Sequence, residues 1–178
     1  MQPLSTVEQI LHHPLIREYR LLSPKQLSFS PAVSEACASN VCGKYGSCWT
    51  CPPSVGTPHL WQQRILQYEH LAVFTCVHPL EDCFDFEGMI HGQNETMALL
   101  QQLRTKLSQH KMDILPLGCA SCNLCQKCTY PQEPCRFPQQ AIVSVEACGI
   151  DVVQLSRDTG IRYHNGDNTV TYFCIILF

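Results

Sequence analysis

Cys122, Cys125 and Cys128 stand at C-x2-C-x2-C pitch, and Cys135 follows seven residues later, behind Thr-Tyr-Pro-Gln-Glu-Pro. Thiolates at that pitch, on backbone that curls around one point, wrap a cubane iron–sulfur cluster, and a remote fourth cysteine closes the coordination. Zinc asks for something else: two C-x2-C knuckles with a loop of about 12 to 20 residues between them. Here Cys119-x2-Cys122 and Cys125-x2-Cys128 are separated only by Asn123 and Leu124. That is too short for two knuckles to face each other across one ion. The pitch favours a [4Fe-4S] cluster, with zinc as the alternative.

A second group lies upstream: Cys37-x4-Cys42-x5-Cys48-x2-Cys51, followed by Pro52-Pro53. Four cysteines within 15 residues can surround one metal site without help from elsewhere. Gly43, Lys44 and Gly46 bend the chain between them, and Tyr45 and Trp49 supply apolar cover. This spacing matches no single standard template, so buried structural thiols are its plain alternative. The candidate ligands are then Cys37, Cys42, Cys48 and Cys51 for one site and Cys122, Cys125, Cys128 and Cys135 for the other, hence two clusters. Lys44, Lys127 and Arg136 are placed to offset the negative charge of cluster and thiolates; a solvated surface is the other account of them. Cys76 and Cys174 sit in apolar runs and read as core thiols, while Cys83, Cys119 and Cys148 remain unassigned.

The 178 residues include 13 cysteines and carry a net charge of −3. Secreted disulfide scaffolds are short and follow a signal peptide. The start Met-Gln-Pro-Leu-Ser-Thr-Val-Glu has neither a basic nor an apolar leader region, and an odd cysteine count does not close a disulfide set. A reducing cytoplasm, with thiols held by metal, is the expectation. No run of Lys or Arg suits nucleic acid or an acidic membrane surface. The longest apolar run, Tyr172 to Phe178, is far below the roughly 20 residues of a membrane span. The eight histidines show no metal-ligand spacing, and there is no Ser-His-Asp signature or phosphate-cradling glycine loop. An enzyme with an open metal site or a reactive thiol stays open as a third class, beside electron transfer and a structural zinc module.

The elements that must position these cysteines read as one α/β domain over 1–178, with cysteine-rich inserts at 37–53 and 118–138. Ser5-x-x-Glu8 resembles a capping box opening a short helix that Pro14 stops. Leu15 to Leu22 reads as an edge strand because of its charges. Thr57-Pro58 starts a helix with a core stripe of Leu60, Trp61, Ile65, Leu66 and Tyr68. Leu71 to Val77 is nearly continuously apolar, hence a buried central strand. A long helix runs from Phe86 or Asn94 to Gln109, and a strand over Met112–Leu117 delivers Gly118 into the second cysteine group. Apolar residues run from Ile142 to Cys148. A helix follows over Asp151–Arg157, ended by Gly160. Asn165-Gly166 signals a hairpin between Ile161–His164 and Thr169–Leu177. The sum is an α+β sandwich: a mixed sheet of four to five strands with helices on one face and two metal-binding loops.

Several of these residues together resemble a known family. They are Cys37, Cys42-x2-Tyr45-Gly46-x2-Trp49-x-Cys51-Pro52-Pro53, Cys122-x2-Cys125-x2-Cys128, and Pro134-Cys135-Arg136-x-Pro138. Glu146-Ala147-x-Gly149-Ile150-Asp151 and the closing Val170-Thr-Tyr-Phe extend the match, which covers about Cys37 to the C-terminus. The combination is similar to the predicted metal-binding proteins grouped as domain of unknown function 2284. The resemblance implies cysteine-bound metal, iron–sulfur rather than another kind, in a small cytosolic protein, and implies no reaction. The family pattern spaces Cys37 and Cys42 more closely, and does not clearly include Cys48, Cys119 or Cys148. Without Cys48 the first site has three matched thiolates and an open fourth position, unless cysteines cross between sites.

Overall fold

The computed structural model describes residues 3–178; Met1 and Gln2, where the leader expectation begins, lie outside them. A mixed five-stranded sheet carries the chain, in the order β1-β2-β5-β3-β4. The strands are β1 (Ile16–Leu22), β2 (Leu71–Pro79), β3 (Leu115–Gly118), β4 (Val143–Ser144) and β5 (Thr169–Leu177). All neighbours are antiparallel except β3 and β4, which run parallel. The helices are α1 (Pro3–Leu11), α2 (Pro31–Ala38), α3 (Pro58–Ile65), α4 (Phe86–Gln109) and α5 (Val152–Thr159).

Strand β2 is central and buried, as its continuous apolar run requires. Its two faces feed two separate cores. Leu71 and Val73 join Ile175, Leu177, Trp61 and Ile65 of α3, and Leu155 of α5. Ala72, Phe74 and Cys76 join Cys174, Ile176, Val7 and Leu11 of α1, and Leu100, Leu103 and Leu107 of α4. Helices therefore cover both faces of the sheet, not one. The physical reason lies in β2 itself: apolar side chains on both faces from Leu71 to Phe74 leave no face that water could cover without cost. Strand β1, with its arginines, is one edge, and β4 is the other.

Local chemistry sets most element ends. Thr57 caps α3 with Pro58 in the first turn. Asp85 caps α4 by accepting from Gly88 N at 2.8 Å, so that helix begins at Phe86 rather than Asn94. Asp151 caps α5, which left-handed Gly160 ends. Three expectations fail. Helix α1 already includes Ser5, so Ser5-x-x-Glu8 is not its capping box. Leu60 and Leu66 are exposed, so the core stripe of α3 narrows to Trp61 and Ile65. Ile161–His164 is not a strand: both edges of β5 are occupied, by β2 and β3, so no hairpin partner has a place. Instead Ile161 is buried and Tyr163 stacks on Phe173, with ring centroids 5.9 Å apart.

Candidate metal centres

The first insert starts on α2, whose last turn carries Cys37. Left-handed Asn40, Gly43 and Gly46 then fold the chain back on itself, with Tyr45 N donating to Asn40 Oδ1 at 2.9 Å and Gly46 N to Pro52 O at 2.8 Å. Ser54 Oγ donates to the carbonyls of both Cys48 and Cys51, at 2.6 and 2.8 Å, which closes the Cys48–Cys51 turn.

Strand β3 leads the chain into the second insert. Asn123 Nδ2 donates to Asn94 Oδ1 of α4 at 2.9 Å, and Thr129 Oγ1 to Pro134 O at 2.9 Å. Gln101 Nε2 donates to Gln140 O at 2.8 Å, and Arg104 donates to the carbonyl of Gln139, so α4 also holds the far end of the loop.

The inserts, far apart in sequence, pack on each other. Trp49 meets Tyr130 edge to face at 4.9 Å, and its Nε1 donates to Glu133 O at 3.1 Å. Thr50 Oγ1 accepts from Cys122 N at 3.1 Å and is hydrogen-bonded to Cys48 Sγ at 3.6 Å. One threonine thus joins a cysteine of the first insert to one of the second.

Among the described residues no three His, Cys, Asp or Glu side chains meet closely enough to hold one ion; the sulfurs line two cavities instead. One, of about 480 Å³, is walled by Cys122, Cys125, Cys128 and Cys135 together with Cys48. Its wall also carries Lys44, Lys127 and Arg136, with Trp49, Tyr130 and Phe137 as aromatic cover. The three cations set against cluster charge in the sequence therefore share one wall. The other cavity, about 670 Å³, is lined by Cys37, Cys42, Cys51, Cys119 and Glu146 among mostly apolar side chains. A wider cleft of about 980 Å³ along α3, α4 and the second insert carries one thiol, Cys135, and no convergence of donors. The donor chemistry of the two thiol-lined cavities fits thiophilic metal. Five sulfurs and three cations around one space suit an anionic cluster.

The electrostatics follow from this packing. Cys48 is lowered to about 6 because Cys51 donates a hydrogen bond to its sulfur, with further help from Thr50 and Lys44, while burial opposes. Cys51, the donor, is raised by the same bond. The bond favours the thiolate form at Cys48 and the thiol form at Cys51. Burial raises Cys37, and Glu146 and Cys42 add to it. Burial raises Cys122 as well, against a hydrogen bond from Leu124 N. Burial also raises Glu146.

The sequence groups the candidate ligands by insert; in the structure Cys48 lines the cavity of the second group. Spacing alone passes over Thr50 and gives Glu146 no role. The signal for Glu146 was there: the one charged residue in the stretch from Ile142 to Ile150, which is otherwise apolar but for Ser144. Cys76 and Cys174 are core thiols as expected, and burial pushes Cys76 up to about 12. Cys148 is buried in the opposite core, Cys119 is hydrogen-bonded to Cys174, and Cys83 is exposed.

No helix is long and apolar enough to cross a membrane among the described residues. No curated protein and no solved structure shows detectable similarity to the chain. A family profile described as predicted metal-binding protein (DUF2284) matches residues 20–178, extending the resemblance upstream from Cys37 to Arg20. With its paired thiol-lined cavities, the chain belongs to this family of predicted metal-binding proteins.

Proposed function

We propose that this chain is an iron–sulfur protein of the cytoplasm, one domain whose inserts at 37–53 and 118–138 hold two [4Fe-4S] clusters and pass single electrons to a partner protein. The candidate ligands are drawn from Cys37, Cys42, Cys48, Cys51, Cys122, Cys125, Cys128 and Cys135. The observation that carries the reading is the cavity of about 480 Å³ lined by five thiols and three cations. Its sulfurs include the C-x2-C-x2-C run, whose pitch suits a cubane.

A bound cubane supplies one-electron chemistry. The chain's own residues do the rest. Lys44, Lys127 and Arg136 set positive charge against the thiolates, which favours the more negative, reduced state. Trp49, Tyr130 and Phe137 limit water at the wall. Thr50 fixes the distance between the inserts through Cys122 N and Cys48 Sγ. Thirteen thiols, an odd number, support a reducing compartment.

Metal analysis of protein purified without oxygen tests the reading. Two cubanes give brown protein with iron and sulfide of about eight atoms each per chain. About four of each restricts the proposal to one cluster. Colourless protein with zinc alone replaces it with a structural zinc module, in which metal binding is coupled to folding.

A further inference from the structure

Glu146 opens the short 3-10 turn Glu146–Cys148 just beyond β4. In the parallel β3–β4 pair Gly118 lies opposite Ser144, so Cys119 and Glu146 leave the sheet at the same end. The start of α2 is tied to the far side of this turn by the Phe29–Ile150 bridge and by Ser30 N donating to Gly149 O at 2.9 Å. Helix α2 then carries Cys37 to the cavity of about 670 Å³ that Cys42, Cys51 and Glu146 also line.

Four thiols and a carboxyl group line this cavity; Cys119 is hydrogen-bonded to Cys174, which leaves Cys37, Cys42, Cys51 and Glu146 as its free donors. Glu146 forms no ion pair among the described residues, and its side-chain partner is the Ser144 hydroxyl. Lys44 is the one Lys or Arg on this wall, and it also lines the neighbouring cavity. Burial and mutual repulsion keep these groups protonated when alone, so ionising them together needs a compensating cation, which a bound metal supplies. Meanwhile Cys48, the remaining cysteine of the first insert, lines the other cavity and is bonded to Thr50.

We propose that Glu146 is the fourth ligand of the first metal centre, an oxygen donor completing Cys37, Cys42 and Cys51, and that Cys48 belongs to the second cavity. A carboxylate serves iron and zinc alike, and its hard oxygen is the donor that exchanges most readily among soft thiolates. The same centre faces an apolar mouth formed by Val41, Tyr45, Val153 and Tyr163, all exposed.

The inference rests on metal being held by the inserts, so the unsubstituted protein is measured first. If it binds neither iron nor zinc, that broader reading fails. Given two clusters, Glu146→Gln should lower iron from about eight to about seven atoms per chain and add the paramagnetic signal of a three-iron cluster. Glu146→Cys should restore full iron and remove that signal. Cys48→Ser should leave the spectrum of the first centre unchanged. If the protein carries zinc, Glu146→Gln should lose one zinc and Glu146→Cys should retain it. Full metal and an unaltered spectrum in Glu146→Gln would overturn the assignment, as would loss of the first centre in Cys48→Ser. Should Glu146→Gln fail to fold by circular dichroism, Glu146→Cys decides: native metal content supports the assignment, and loss of one centre sinks it.

Discussion

Thr75 shows what a single buried polar atom costs here. Its residue is fully buried in β2, and its Oγ1 has no hydrogen-bond partner. A buried hydroxyl left unsatisfied costs about 1–3 kcal/mol, and a valine of the same shape removes that cost. Thr75→Val should therefore raise stability by about 1 kcal/mol, or about 2 to 4 °C in Tm for a chain of this length. A lower Tm by calorimetry would show that the hydroxyl is satisfied after all. Cys48 and Cys51 make the same point with charge. The bond between them lowers Cys48 and raises Cys51, a difference between two chemically identical thiols that no spacing rule distinguishes.

At the scale of elements, the turn after β4 is the piece on which the first centre hangs. Gly149 has φ +82°, and a Cβ built there would lie 2.7 Å from Pro58 Cβ at the start of α3. Pro58 is held by its ring and by the Thr57 cap, so it cannot yield as a flexible side-chain tip would. Gly149→Ala should then cost about 1–3 kcal/mol, from the left-handed backbone and the overlap together. A urea titration reads this as a lower midpoint. Because Ser30 N bonds to Gly149 O, the same change should reduce metal at the first centre before the second. Gly118 is a contrast. A Cβ there would lie 2.6 Å from Met97 Sδ, a flexible side chain that can swing aside.

Across the whole molecule, core and metal region are separate structures. None of the eight candidate cysteine ligands belongs to either hydrophobic cluster. Residues 39–57 and 119–142 contain no helix or strand, so the inserts depend on side-chain ties and on metal. Removing metal by chelation under reducing conditions should leave the far-ultraviolet circular dichroism largely intact. It should expose the second insert to protease and lower Tm. Metal at a hundredfold above its Kd stabilises by about 2.7 kcal/mol, worth about 5 to 10 °C here. Complete unfolding on metal removal would instead mean that the inserts nucleate the fold.

The amino-acid sequence by itself determined the strand cores, the helix starts at Thr57-Pro58 and Asp151, the long helix ending at Gln109 and the presence of two thiol groups. Each follows from short-range chemistry: apolar runs, a proline in a first turn, cysteines a few residues apart. Only the tertiary structure decided that helices cover both faces of the sheet, that β5 has no hairpin partner, and that Cys48 sits with the second group while Glu146 sits with the first. Those outcomes depend on which edges are already taken and which loops meet at one end of the sheet. Spacing along the chain bounds what neighbouring residues can reach, but partners about a hundred residues apart are chosen by packing.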